Sequence, residues 1–194
     1  MYYSTHKFNK LKYQCIDSTF VSNLFGSEIY GRNVQYKSKN GIKISSINDR
    51  NGVPIALALA PGSAHDSTIL KEQIGNELID TCTLSVAKNN RYKQIILGDS
   101  AYHDKSLYSA LSRKGYQVIT DVNIRNTKNK IKIQKLKKSK KEYIKKCPKR
   151  FSIERSYAWI KSYPKLSRVV EKSSLSYSGL LLLACSFVAS KKIT

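Results

Sequence analysis

Two aspartates stand where apolar residues would be expected. Asp17 interrupts the run Cys15-Ile16-Asp17-Ser18, and Asp99 ends the run Ile95-Ile96-Leu97-Gly98-Asp99. A carboxylate inside or just after a buried strand costs free energy unless it is paired or coordinates a cation. A third acid, Glu154, lies in Phe151-Ser152-Ile153-Glu154-Arg155-Ser156-Tyr157-Ala158-Trp159-Ile160-Lys161. On a helix Ile153, Tyr157 and Ile160 share the face that packs, and Glu154, Ala158 and Lys161 share the adjacent one. Three carboxylates brought together can hold two Mg²⁺ ions about 3.5–4 Å apart for in-line phosphoryl transfer. Oxygen-only ligands suit Mg²⁺ or Mn²⁺ over zinc. Taken singly, Asp99 reads as a loop cap and Glu154 as a solvated helix residue; it is the set of three that points to a metal site.

The elements that must position them follow from pattern. Tyr13 to Val21, Ile42 to Ile47 and Val53 to Ala60 read as strands, the last two joined by the turn Asp49-Arg50-Asn51-Gly52. Ser67 to Thr81 has helical periodicity, with Asp66 or Ser67 at its start. Gln94 to Gly98 is a short buried strand, Asp104 to Lys114 a helix, and Tyr116 to Thr120 a fifth strand. Phe151 to Tyr163, ended by Pro164, and Ser174 to Lys191 are the closing helices. Three strands, helix, strand, helix, strand and two helices is the order of an α/β, ribonuclease H-like domain: a mixed five-stranded sheet flanked by helices. In such a sheet the first and fourth strands are neighbours, so Asp17 and Asp99 can face each other.

The chain has 194 residues and a net charge of +22, which suits one domain with a polyanionic partner. The excess is concentrated: residues 125–150 hold 13 of the 35 basic residues and one carboxylate. The segment from about 123 to 149 therefore reads as a basic insertion, exposed and partly helical, within a domain spanning 1–194. It buries too little apolar surface to offset its chain entropy, so it is expected to be mobile without DNA and to lie outside the core. Four widely spaced cysteines, Cys15, Cys82, Cys147 and Cys185, lack zinc-site spacing and read as free thiols in a reducing compartment. The longest apolar run, Leu180 to Val188, is too short to span a membrane.

With these residues in view the chain resembles the catalytic part of DDE transposases of bacterial insertion sequences, in the insertion-sequence-four/five branch. Cys15-Ile16-Asp17-Ser18-Thr19 is similar to the family's first-Asp motif. Tyr30-Gly31-Arg32-Asn33 with Lys39-Asn40-Gly41-Ile42-Lys43 is similar to its basic loop. Pro61-Gly62-Ser63-Ala64-His65-Asp66-Ser67 and Leu97-Gly98-Asp99-Ser100-Ala101-Tyr102 resemble the two segments that follow. The branch signature Tyr-x2-Arg-x3-Glu-x6-Lys is met by Arg150, Glu154 and Lys161, with Cys147 in place of the tyrosine. From the residues alone, His65-Asp66 reads equally as a polar pair at the cleft edge or as a helix cap beside a surface histidine.

The resemblance implies Asp17, Asp99 and Glu154 as ligands of two Mg²⁺ (or Mn²⁺) ions, and cleavage and strand transfer at the element's ends. It implies DNA phosphate contacts from Arg150 and Lys161 near the cleaved bond. Arg32, Lys39 and Lys43 in the basic loop, and Lys137, Lys138, Lys140 and Lys141 in the insertion, are candidate backbone grips. A homo-oligomer on DNA, and a cytoplasmic, nucleoid-associated bacterial protein without membrane contact, are the matching expectations. Only 16 residues precede Asp17, too few for a helix-turn-helix. A separate N-terminal DNA-binding frame product, or a truncated copy, would account for that. The competing readings are a stand-alone metal-dependent nuclease of the same fold and a non-catalytic basic DNA-binding derivative.

If the insertion grips phosphates, changing Lys137, Lys138, Lys140 and Lys141 to Gln should flatten the salt dependence of DNA affinity. The slope of log affinity against log salt should fall by about 0.9 for each duplex phosphate that is no longer neutralised. A salt titration checks this, and an unchanged slope would mark the segment as a solvated linker.

Overall fold

The computed structural model describes residues 13–23, 25–26, 28–73, 94–113, 115–122, 129–146 and 151–191. In chain order these build β1 (Tyr13–Ser22), β2 (Gly31–Asn33), a 3-10 turn (Val34–Tyr36), β3 (Lys39–Asp49), β4 (Pro54–Pro61) and α1 (Asp66–Gln73). There follow β5 (Gln94–Gly98), a 3-10 turn (Ser100–Tyr102), α2 (Lys105–Arg113), β6 (Tyr116–Thr120), α3 (Lys130–Lys146), α4 (Phe151–Lys161), the short α5 (Pro164–Ser167) and α6 (Ser174–Ser190).

β1 lies at the centre of the sheet. It pairs antiparallel with β3, which pairs antiparallel with β4 and, at its start, with β2. On its other side β1 runs parallel to β5, and β5 parallel to β6. The five long strands are thus ordered third, second, first, fourth, fifth across the sheet, the ribonuclease H-like arrangement. The sixth strand, β2, has three residues on the edge of β3. It is too short for a period-2 pattern to reveal it.

Both faces of the sheet are covered, so the central strands are apolar without alternation. Cys15, Ile95 and Leu97 face one layer with Ile153, Tyr157 and Ile160 of α4 and Tyr177 and Leu181 of α6. Ile16 and Ile96 face the other, with Leu70 of α1, Leu107 and Leu111 of α2, and Tyr102. Burial also lifts the Cys185 thiol to about 12.

The expected elements are present with small changes at their ends. α1 is described only to Gln73, so the rest of the helix expected to Thr81 falls outside the described residues. Pro164 follows α4 as expected, then opens α5 at a position where its missing N–H costs nothing. The basic insertion forms a continuous 17-residue helix, α3. Its Tyr143 is buried in the same core as Tyr157. The helix is therefore anchored at one aromatic side chain, and this part of the segment is docked on the core, where the sequence pattern had suggested a wholly peripheral stretch.

The β3–β4 turn fixes α4. Asp49 Oδ1 accepts from the N–H groups of Asn51 and Val53, each at 2.8 Å. Gly52 has φ +86°, and an added Cβ would lie 2.9 Å from both the Ser152 carbonyl and Ser156 Oγ. Ser156 in turn donates to the Gly52 carbonyl at 2.5 Å. Gly52→Ala should therefore destabilise the fold by about 1–3 kcal/mol, as for a side chain forced into a left-handed conformation. Urea unfolding checks this; an unchanged midpoint would mean that the turn does not hold the helix.

Candidate active site

The parallel pairing of β1 with β5 leads toward both aspartates. Tyr13 stands opposite Ile95, Gln14 opposite Ile96 and Cys15 opposite Leu97, where the pairing ends. Asp17 lies two residues past Cys15, and Asp99 two past Leu97, just beyond the end of β5. Asp99 Oδ1 caps the following 3-10 turn by accepting from Ala101 N–H at 2.9 Å. Asp17 Oδ1 accepts from Ser18 N–H at 2.9 Å. β6 ends in a third aspartate: Gly98 stands opposite Thr120, so Asp121 follows in line with Asp99.

Beneath them lies Tyr102, 1 % exposed. Its hydroxyl finds no hydrogen-bond partner of good geometry, although Ser18 lies beside it. Burial, then the charges of Asp66, Asp17 and Asp99, hold this phenol well above its ordinary range. Tyr102 is thus the buried side chain on which the charges of Asp66, Asp17 and Asp99 all act.

Asp66 is the residue that sequence reasoning left undecided. It opens α1 and accepts from Ser18 Oγ at 2.7 Å and from Lys43 Nζ at 3.0 Å. Lys43 also donates to the Ala64 carbonyl at 2.8 Å. Of the two readings of His65-Asp66, the polar pair at the cleft fits the aspartate, which braces the residue next to Asp17. His65 is exposed, and its Nδ1 lies 2.8 Å from Ser67 Oγ. The Lys43 ammonium, a candidate DNA contact, is turned inward to this ion pair.

α4 runs along β1. Tyr157 OH is shared between the carbonyl oxygens of Asp17 at 2.6 Å and Ile44 at 3.2 Å. Lys161 Nζ donates to Thr19 Oγ1 at 2.5 Å and to the Phe20 carbonyl at 3.3 Å. Partial burial lowers the affinity of Lys161 for its proton. Glu154 lies on the exposed stripe of the helix, in its first turn. Among the described residues no three His, Cys, Asp or Glu side chains are gathered closely enough to hold a metal ion. Asp17 and Asp99 therefore follow the same end of the β1–β5 pairing, and Glu154 lies on the exposed side of the helix that carries Tyr157 and Lys161.

The remaining candidates divide by location. Arg32 and Lys39 are exposed on the edge hairpin of β2 and β3. Lys137, Lys138 and Lys141 are exposed on α3. Lys140 Nζ lies 3.6 Å from Asp121 Oδ1, which brings α3 to the same end of the sheet as Asp99. Arg150 and Cys147 fall outside the described residues. No helix among the described residues is long and apolar enough to cross a membrane.

A mixed sheet with this strand order, flanked by helices on both faces, is the ribonuclease H-like fold. The Transposase DDE domain family matches residues 10–188, and the chain belongs to that family. A comparison with curated proteins gives no match. The family identifies a transposase domain acting on DNA, and divalent metals are typical of it.

The two buried phenols should respond differently to loss of the hydroxyl. Tyr157→Phe removes the hydroxyl that donates to the carbonyls of Asp17 and Ile44 and should cost about 1–3 kcal/mol. Tyr102→Phe removes a hydroxyl without a well-formed bond and should cost less than about 0.5 kcal/mol. Denaturant unfolding of both variants checks the order; the reverse order would contradict the arrangement described.

Proposed function

We propose that Asp17, Asp99 and Glu154 are the catalytic carboxylates of a transposase of the insertion-sequence-four/five type, acting in strand cleavage and strand transfer at transposon ends. The observation that supports this reading is the parallel β1–β5 pairing, whose last pair, Cys15 with Leu97, stands two residues before Asp17 and Asp99. The donor set fits a hard divalent cation: two carboxylates side by side at a sheet end, with oxygen ligands only. Asp17 and Asp99, joined by Glu154, would hold Mg²⁺ or Mn²⁺. A pair of such ions, when bound, supplies activation of water or a 3′-hydroxyl and stabilisation of the leaving oxygen.

The chain's own residues have separate tasks. Tyr157 fixes the backbone of Asp17 through its carbonyl. Asp66, held by Lys43, fixes Ser18 and so the strand next to Asp17. Lys161 keeps its ammonium two to three residues further along β1, where a phosphate beside the cleaved bond would replace the Thr19 hydroxyl as its partner. Arg150 stands four residues before Glu154 and serves the same strand. Arg32, Lys39 and the lysines of α3 supply sequence-independent grip on the DNA backbone. The active form is a homo-oligomer on DNA, in the bacterial cytoplasm with the nucleoid.

Asp17→Ala, Asp99→Ala and Glu154→Ala should each remove Mg²⁺-dependent nicking of plasmid DNA. The loss should exceed the about 10–100-fold typical of residues that only orient a ligand. DNA affinity, set by the lysines, should be largely kept. Nicking and binding assays on the same preparations check this, and full nicking by any variant would overturn its assignment. Joined DNA products distinguish a transposase from a nuclease that only cuts.

A further inference from the structure

The hairpin at the edge of the sheet carries features that phosphate binding does not explain. Val34, at its tip, is 81 % exposed, and Tyr30 is 55 % exposed. A branched apolar side chain in full contact with water gains nothing from hydration and offers phosphate no donor. The turn is nevertheless built to hold it there. Asn33 is buried, donates to the Gly62 carbonyl at 2.9 Å and accepts from Gln35 N–H at 3.0 Å. Tyr36 stacks on Phe20 with ring centroids 4.7 Å apart. Lys37 and Ser38 both have φ +55°, two successive non-glycine residues in the left-handed region. Such strain persists only where the surroundings impose it, and it collects at functional segments.

The charge around the tip selects its partner. No Asp or Glu occurs between Glu28 and Asp49, whereas Arg32, Lys37 and Lys39 flank Val34 and are exposed. A second copy of a +22 chain, or any basic protein, would be repelled here. An apolar tip between cations fits DNA, with the cations on phosphates and the apolar group against base faces, the design of side chains that wedge between base steps. The hairpin belongs to the same sheet as Asp17. Gly31 pairs with Gly41 and Gly41 with Ser22, five residues along β1 from Asp17. At about 3.4 Å per residue Ser22 is roughly 17 Å from Asp17, and Val34 lies two strands across and three residues further on.

We propose that the Gly31–Lys39 turn is a DNA wedge: Val34 enters an unstacked base step while Arg32, Lys37 and Lys39 hold the flanking phosphates. The proposal rests on the reading of this chain as a DNA-cleaving transposase, and adds that it recognises DNA with an opened base step. The test compares the affinity of the whole chain for a fully paired duplex and for the same duplex carrying a two-nucleotide mismatch. The wild-type chain should favour the mismatched duplex by roughly tenfold, within the range of one unstacked base. Val34→Ser, at an exposed position that leaves the fold untouched, should bring the ratio close to one. Arg32→Gln should lower both affinities alike. Fluorescence of a 2-aminopurine placed in the mismatch should be altered by the wild-type chain and less so by Val34→Ser. Equal wild-type affinities, or a preference that survives Val34→Ser, would overturn the wedge and leave the transposase reading standing. Failure to bind either duplex would overturn both.

Discussion

Parallel pairing of β1 with β5 is the constraint on which this end of the molecule turns. Its last pair is Cys15 with Leu97, so Asp17 and Asp99, each two residues further on, leave the pairing at the same end. Tyr102 is buried next to this end of the sheet, where burial together with the charges of Asp66, Asp17 and Asp99 raises its phenol. Lys43 offsets the charge of Asp66. In the function proposed above, a divalent cation would do the same for Asp17 and Asp99.

The surrounding contacts read as supports for that arrangement. Tyr157 and Lys161 both bond to β1, one on each side of the backbone step that follows Asp17. Ser152 and Ser156 bond to the β3–β4 turn, so the start of α4 is fixed at the opposite end. On the other face the Lys43–Asp66 pair, each side chain less than a fifth exposed, ties β3 to α1 through Ser18. Glu154 alone stands apart from these bonds, on the solvent side of a helix whose other face is fully committed.

How much could be read from the chain depended on whether the signal was local. Asp17 and Asp99 were legible because a carboxylate in an apolar strand contradicts its neighbours. The Asp49-Arg50-Asn51-Gly52 turn was legible because its residue types have one common use. Lys43 was misleading: it sits in a basic loop, and only the antiparallel register with β1 turns its ammonium toward Asp66. Asp66 was ambiguous because a helix cap and a brace for Ser18 need the same residue at the same place. Tyr143 was hidden by the lysines around it, although one aromatic side chain is enough to dock a helix on the core. β2 was missed because three residues carry no periodicity, and with it the hairpin that presents Val34.

Anomalous diffraction from crystals soaked in Mn²⁺ tests the central claim most directly, since it locates the cation without relying on activity. A manganese peak within coordination distance of both Asp17 and Asp99, about 2.0–2.3 Å from carboxylate oxygen, is the predicted result, with the peak lost in Asp17→Ala. Manganese bound elsewhere on the chain, with the Asp17–Asp99 position empty at saturating metal, would contradict it.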